Sequence, residues 1–155
     1  MKTAIIYSSK SGTAAKCARE LYKRIPDCEV FNLDIDNCEI EKFDVVIIGG
    51  SIRYENLPKK LRRFMRENQL ALEKKKLGFF ICCLSDERKD AYFEKCLPAV
   101  LYKKSVRCEC FGGELDINNQ KGIDKFLCKT VLKSQVAKKP RIKIAAIEEF
   151  AKTFC

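Results

Sequence analysis

The chain has 155 residues, with 31 Lys and Arg against 21 Asp and Glu, giving a formal charge of +10. An apolar fraction of 46% with 7 glycines and 4 prolines excludes a disordered chain, and the length suits one compact domain. No stretch approaches the roughly 20 apolar residues that cross a bilayer, and the apolar start Thr3 to Tyr7 is too short for a signal-peptide core, so the expected compartment is the cytosol.

The elements follow an alternating order, strand then helix, which predicts an α/β domain with a mostly parallel sheet. Thr3 to Ser8 reads as the first strand. Thr13 to Ile25 follows as a helix, with apolar residues at Ala14, Cys17, Ala18, Leu21 and Tyr22 opposed by Lys16, Arg19, Glu20 and Lys23, and with Pro26 as its stop. Glu29 to Leu33 and Asp44 to Gly50 are the next strands, then a helix over Leu57 to Leu72 with the basic start Pro58-Lys59-Lys60-Leu61-Arg62-Arg63. Leu77 to Leu84 is the fourth strand and Lys89 to Leu101 a helix that Pro98 bends or ends. Val106 to Gly112 is the fifth strand, and Ile144 to Phe154 the last helix. Several strands lack strict alternation, as expected when helices cover both faces.

Asn118 to Lys143 is too long for an ordinary connection. Lys121, Lys125, Lys129 and Lys133 recur every four residues there, with Ile123, Phe126, Leu127, Val131 and Leu132 largely elsewhere on the wheel. The spacing predicts a basic amphipathic helix, inserted at about 118–143, docked with its lysines in water.

The sequence contains no histidine, which removes the commonest metal ligand, the usual general base and every Ser-His or Cys-His nucleophile pair. Its ten cysteines are scattered with no Cys-x-x-Cys spacing, which argues against zinc. Most sit in apolar runs such as Phe79-Phe80-Ile81-Cys82-Cys83-Leu84, where packing as a small reduced hydrophobe is favoured over a redox role for Cys82 or Cys83. Chemistry then falls to a cofactor, or to carboxylates, lysines, tyrosines or thiols.

In an open α/β sheet, ligands sit beyond the carboxyl ends of the strands where the connections reverse. Three loops leave those ends. Ser8-Ser9-Lys10-Ser11-Gly12-Thr13-Ala14 offers hydroxyls and helix N-terminal amides to an anion, or simple capping by Ser11 or Thr13. Gly49-Gly50-Ser51-Ile52-Arg53-Tyr54 lets backbone approach a flat ligand, with Ile52, Arg53 and Tyr54 against one face, or forms a plain polar turn. Leu84-Ser85-Asp86-Glu87-Arg88 offers backbone bonds to the other ring edge. No P-loop and no Gly-x-Gly-x-x-Gly string exists, so ATP hydrolysis and simple NAD binding fall away.

The run Tyr7-Ser8-Ser9-Lys10-Ser11-Gly12-Thr13-Ala14 after a first strand resembles the FMN-phosphate loop of flavodoxins. Val46 to Tyr54, with its Ser-Ile-Arg-Tyr, is similar to the second flavin loop of a narrower branch, the flavodoxin-domain proteins that include menaquinone-dependent protoporphyrinogen dehydrogenase. Phe111-Gly112-Gly113-Glu114-Leu115 and Ile123 to Lys133 resemble that branch's fifth-strand ending and its basic inserted segment. The resemblance runs over essentially the whole chain. It implies a flavodoxin-like three-layer sandwich, a five-stranded parallel sheet of order 2-1-3-4-5, with FMN at the carboxyl edge. Ser9, Lys10, Ser11, Gly12 and Thr13 would hold the phosphate. Ala14 stands where flavodoxins usually have threonine and keeps only its backbone N–H. Gly50, Ser51, Ile52, Arg53 and Tyr54 would lie against the isoalloxazine, with Leu84, Ser85 and Asp86 at its other edge, and Tyr92 is the nearest counterpart of the ring-stacking tyrosine.

The charge adds a direction. A net +10 with Arg53 beside the ring site favours the reduced anion of a bound flavin, so the expected potential is less negative than in an acidic flavodoxin. The same charge suits a quinone-bearing membrane surface approached through the basic helix, an anionic porphyrinogen or an acidic redox partner. Nucleic acid is not expected: the excess charge is spread, five in residues 1–80 and five in 81–155, and no binding motif occurs. The implied function is an FMN-dependent dehydrogenase passing electrons from a porphyrinogen-like substrate to a quinone. The alternatives are an electron carrier for a soluble partner and a flavin-free binding module.

Overall fold

The computed structural model describes residues 1–114 and 141–155. Its elements are β1 (Thr3–Ser8), α1 (Thr13–Tyr22), β2 (Cys28–Asn32), a 3-10 turn (Ile40–Lys42), β3 (Val45–Ser51), α2 (Lys59–Glu67), α3 (Gln69–Leu72), β4 (Lys76–Cys82), α4 (Lys89–Cys96), α5 (Ala99–Lys104), β5 (Arg107–Cys110) and α6 (Ile144–Lys152). The five strands form one parallel sheet in the order β2-β1-β3-β4-β5, as the sequence implied.

Two apolar layers explain the sheet. Alternate residues of β3 part company: Val46 and Ile48 pack with Leu61 and Met65 of α2, whereas Val45 and Ile47 pack with Ala14, Cys17, Ala18 and Leu21 of α1 and with Ile147 and Phe150 of α6. Burial on both faces is why β3 reads as a continuous apolar run. Close packing also fixes its glycines: a Cβ on Gly49 would stand 2.2 Å from the Phe80 ring, and one on Gly50 2.6 Å from Leu61.

Several expected boundaries move, each for a local reason. The helix expected over Leu57 to Leu72 breaks at Asn68, whose side-chain amide and backbone N–H both donate to the Phe64 carbonyl, at 2.9 and 3.0 Å. Such a side chain competes with the helical ladder. The helix expected over Lys89 to Leu101 becomes α4 and α5 because Leu97, preceding Pro98, is extended at ψ 144°. The fifth strand ends at Cys110, before Gly112 at φ 75°. There Cys83 N–H donates to the Gly112 carbonyl (3.0 Å), one residue beyond the partner that the Ile81↔Cys110 register would supply. A one-residue slip of this kind is a bulge.

The inserted basic helix and its lysine stripe, Lys121 to Lys133, lie outside the described residues. The insertion expected to run to Lys143 is corrected at its end. Arg141 to Lys143 are not helical: Ile142 bridges Gly112, and Lys143 N–H donates to the Phe111 carbonyl at 2.8 Å.

Candidate cofactor site at the carboxyl edge of the sheet

The connections reverse between β1 and β3, which pair directly, with Ser8 opposite Gly50. The loops after these strands are therefore neighbours, and the loop after β4 is next, because Ser51 pairs with Cys82. Topology alone assembles the three segments that the sequence singled out.

In the first loop, Gly12 takes a left-handed φ of 88° and is the N-cap of α1. Its N–H donates to Ser9 Oγ (2.9 Å), and Ser11 Oγ donates to Thr13 Oγ1 (3.4 Å). These bonds shape the loop but do not cap the helix. No side chain among the described residues accepts from the first-turn amides of α1, so the capping alternative fails and those amides are left for an anion. Lys10 is exposed, Thr13 is buried and Ala14 fully so.

Asp34, just after β2, was not singled out by the sequence. Its carboxylate accepts from Ser8 Oγ (3.0 and 3.1 Å) and from the Ser9 amide (3.2 Å), and it lies 3.5 Å from Lys60 Nζ. It fixes the start of the loop from the adjacent strand end. The available signal was an acidic residue directly following the strand that flanks β1.

In the second loop, Ser51 falls on the α1 face by strand alternation. Its Oγ is buried and has no hydrogen-bond partner among the described residues. A buried unpaired hydroxyl is costly, and this one follows Gly50, which pairs with Ser8 at the start of the first loop, so a polar ligand atom fits there. Ile52 N–H donates to the Cys82 carbonyl (2.8 Å). Arg53 and Asn56 exchange backbone bonds of 2.9 and 3.0 Å across a tight turn with Tyr54 at φ 49° and Glu55 at φ 64°. The turn is of the hairpin type that normally uses Asn and Gly, and it presents Tyr54 with 66% of its surface exposed.

In the third loop, Leu84 is half-buried while Ser85 and Asp86 are exposed. Cys83 Sγ reaches the Ser85 carbonyl (3.0 Å), and Asp86 pairs with Lys143, which holds its carboxyl below the usual range. Arg88 binds Glu55 at 2.7 Å, linking second and third loops, and this lowers the Glu55 carboxyl. Arg88 also lies over the Tyr92 ring at 5.3 Å, so that face of the candidate stacking tyrosine is covered by a guanidinium. A separate groove of about 610 Å³, lined by Tyr22, Arg24, Ile25 and Asp27, lies at the opposite, amino-terminal edge.

The uncapped helix start, loop hydroxyls and unpaired Ser51 Oγ fit a ligand with a terminal phosphate and a polar planar body. The flavodoxin domain family model matches residues 4–141. The protoporphyrinogen IX dehydrogenase [quinone] of Escherichia coli strain K12 is 24% identical over 145 residues, covering 86% of this chain and 80% of that protein. A flavodoxin of Streptococcus pneumoniae TIGR4 superposes with a TM-score of 0.57 at 13% identity, over 99% of this chain and 97% of that one. A flavoprotein from Lactobacillus acidophilus NCFM, crystallised with FMN, superposes with a TM-score of 0.55 at 15% identity, over 70% of this chain and 92% of that one. With the family model matched over most of its length and the sheet order found, the chain belongs to the flavodoxin domain family.

Proposed function

We propose that the chain is an FMN-dependent oxidoreductase that oxidises a porphyrinogen-like substrate and delivers the electrons to a quinone. The observation carrying the cofactor assignment is that the uncapped α1 amides follow β1 while the Ser51 hydroxyl, unpartnered among the described residues, ends the adjacent β3. The substrate assignment rests on the E. coli relative, a protein named for protoporphyrinogen IX and quinone.

FMN, when bound, supplies hydride and single-electron transfer. The chain's residues supply placement. Ser9, Ser11, Thr13 and the first-turn amides of Thr13 and Ala14 would receive the phosphate, with Gly12 shaping the loop and the α1 dipole favouring the charge. Ser51 Oγ would donate to or accept from the ring system, and Gly50 with Ile52 to Tyr54 would form one wall. Leu84, Ser85 and Asp86 would form the other edge. Arg53 would hold positive charge beside the ring, stabilising added electrons.

One structural feature favours the electron-carrier alternative. α2, which starts eight residues after Ser51, is strongly basic, and its Lys59, Lys60, Arg63 and Arg66 are exposed. An acidic redox protein suits that face.

Titrating purified protein with FMN and recording the visible spectrum tests the cofactor: one flavin per chain is expected, and no binding at high FMN overturns the assignment. Flavinated protein is then assayed anaerobically for porphyrinogen oxidation with a quinone acceptor. Porphyrin fluorescence rising with quinone consumption supports the dehydrogenase. No turnover, with rapid electron exchange to an acidic carrier protein, assigns the alternative.

A further inference from the structure

The buried cysteines of the sheet's carboxyl end form two sulphur pairs on opposite faces. Cys17 of α1 and Cys82 of β4 lie 3.6 Å apart, both buried, as packed thiols do. Cys83 and Cys110 lie 3.0 Å apart, closer than packed sulphurs and short of a bond. Both belong to the apolar layer on the α2 side, and the bulge of β5 brings the Cys83 backbone onto Gly112 rather than onto the residue the regular register would give.

The two sulphurs have unlike surroundings. Cys110 Sγ receives the Cys83 thiol and backbone N–H groups of Gly112 and Cys83, with the Lys143 ammonium nearby, and these outweigh burial to pull its thiol below the usual range. Cys83 is pushed up by the same thiol bond and by burial. Cys83 also has the Ser85 carbonyl as an alternative acceptor at 3.0 Å. One thiol is thus prepared as a nucleophile and its neighbour holds a proton. Cys83 is 8% exposed and Cys110 2%, so an oxidant of the pair has to be small.

We propose that Cys83 and Cys110 are a redox-active dithiol, oxidised to an intramolecular disulfide by a small hydroperoxide beneath the third loop of the candidate cofactor site. The Cys110 thiolate attacks one peroxide oxygen, the O–O bond breaks, and the leaving hydroxide takes a proton to become water. Cys83 sulphur then attacks the resulting Cys110 sulfenic acid, its thiol proton leaving with the hydroxyl as a second water. Overall two thiols and one hydrogen peroxide give one disulfide and two waters. Oxidation removes the Cys83 thiol proton and with it the option of donating to the Ser85 carbonyl, so the state of the pair is transmitted to the loop.

The test uses the intact protein with hydrogen peroxide at neutral pH, acid quench, alkylation under denaturing conditions and peptide mapping. Trypsin places Cys82 and Cys83 in residues 77–88, and Cys108 and Cys110 in residues 108–121, and fragmentation separates each pair. A Cys83–Cys110 cross-link, reversed by dithiothreitol and formed at least about tenfold faster than any Cys17–Cys82 link, is expected. Cys83→Ser should stop at a sulfenic acid on Cys110 that dimedone traps, and Cys110→Ser should leave Cys83 alkylatable. Oxidation confined to exposed Cys155, or a Cys17–Cys82 link formed equally fast, overturns the proposal. If either variant misfolds, mapping of the unaltered chain still decides. The readout needs no flavin, so a chain that forms the link yet never binds FMN separates this inference from the proposed function.

Discussion

The Arg88 guanidinium meets the Glu55 carboxylate at 2.7 Å and thereby ties the start of α4 to a turn in which both central residues, Tyr54 and Glu55, have positive φ. Left-handed backbone is unfavourable for such side chains, so the turn depends on its external ties, which also include Lys95 at 3.7 Å from Glu55. Both partners are more than half exposed, which limits the effect. Arg88→Ala is expected to weaken FMN binding about twofold to fivefold, measured by fluorescence titration, with little added by Glu55→Ala in the same chain. Additive losses would show that the pair does not act on the site as a unit.

Among the described residues, no atom lies within 4 Å of an added Cβ at Gly12, yet its φ is 88°. The cost of Gly12→Ala is therefore backbone strain alone, about 1–2 kcal/mol, seen as a fall in Tm of about 3–6 °C. FMN binding should fall further than stability does, because the loop must reshape. Gly12→Asn, which tolerates this conformation, should recover most of both.

Gly49 is the contrasting case, with ordinary φ but no room. The Phe80 ring that a Cβ would strike is fully buried and stacked on Phe111 at a centroid distance of 5.0 Å. Gly49→Ala is expected to destabilise by about 1–3 kcal/mol in denaturant unfolding.

Asp86 and Lys143 hold each other charged, the carboxyl lowered and the ammonium raised. A depressed carboxyl stabilises above its unfolded pKa of about 3.9 and loses that contribution as pH falls through the lower folded value. A raised ammonium stabilises below about 10.4 and loses it as pH rises through the higher folded value. The stability difference between the unaltered chain and Asp86→Asn should be flat from about pH 6 to 9 and shrink at both extremes. Its size should be small, since each side chain is over two-fifths exposed.

The net charge of +10 sets the redox expectation. Potentiometry of the flavinated protein should give a less negative potential than an acidic flavodoxin has, moving further negative in Arg53→Gln and rising in low salt. A strongly low-potential carrier would contradict the electrostatic argument.

The sequence by itself determined which segments are strands and which are helical, because burial on one or two faces writes its period into the chain, whereas the breaks at Asn68 and Leu97 came from local contacts. The runs Thr3 to Ser8 and Asp44 to Gly50 and the stripe Ala14, Cys17, Ala18 and Leu21 state in their own spacing which faces are buried. It also announced the three loops, through glycines and hydroxyls placed just after strands. What it left open depends on contacts between residues distant in the chain. Asp34 joins the first loop only because β2 flanks β1, and Arg88 reaches Glu55 only because α4 packs beside the second loop. The Cys83–Cys110 pair is equally invisible in sequence, since 27 positions separate two residues that parallel pairing of β4 and β5 brings to 3.0 Å. Local periodicity fixes which face a residue occupies, whereas only the assembled sheet decides which distant side chain it meets there.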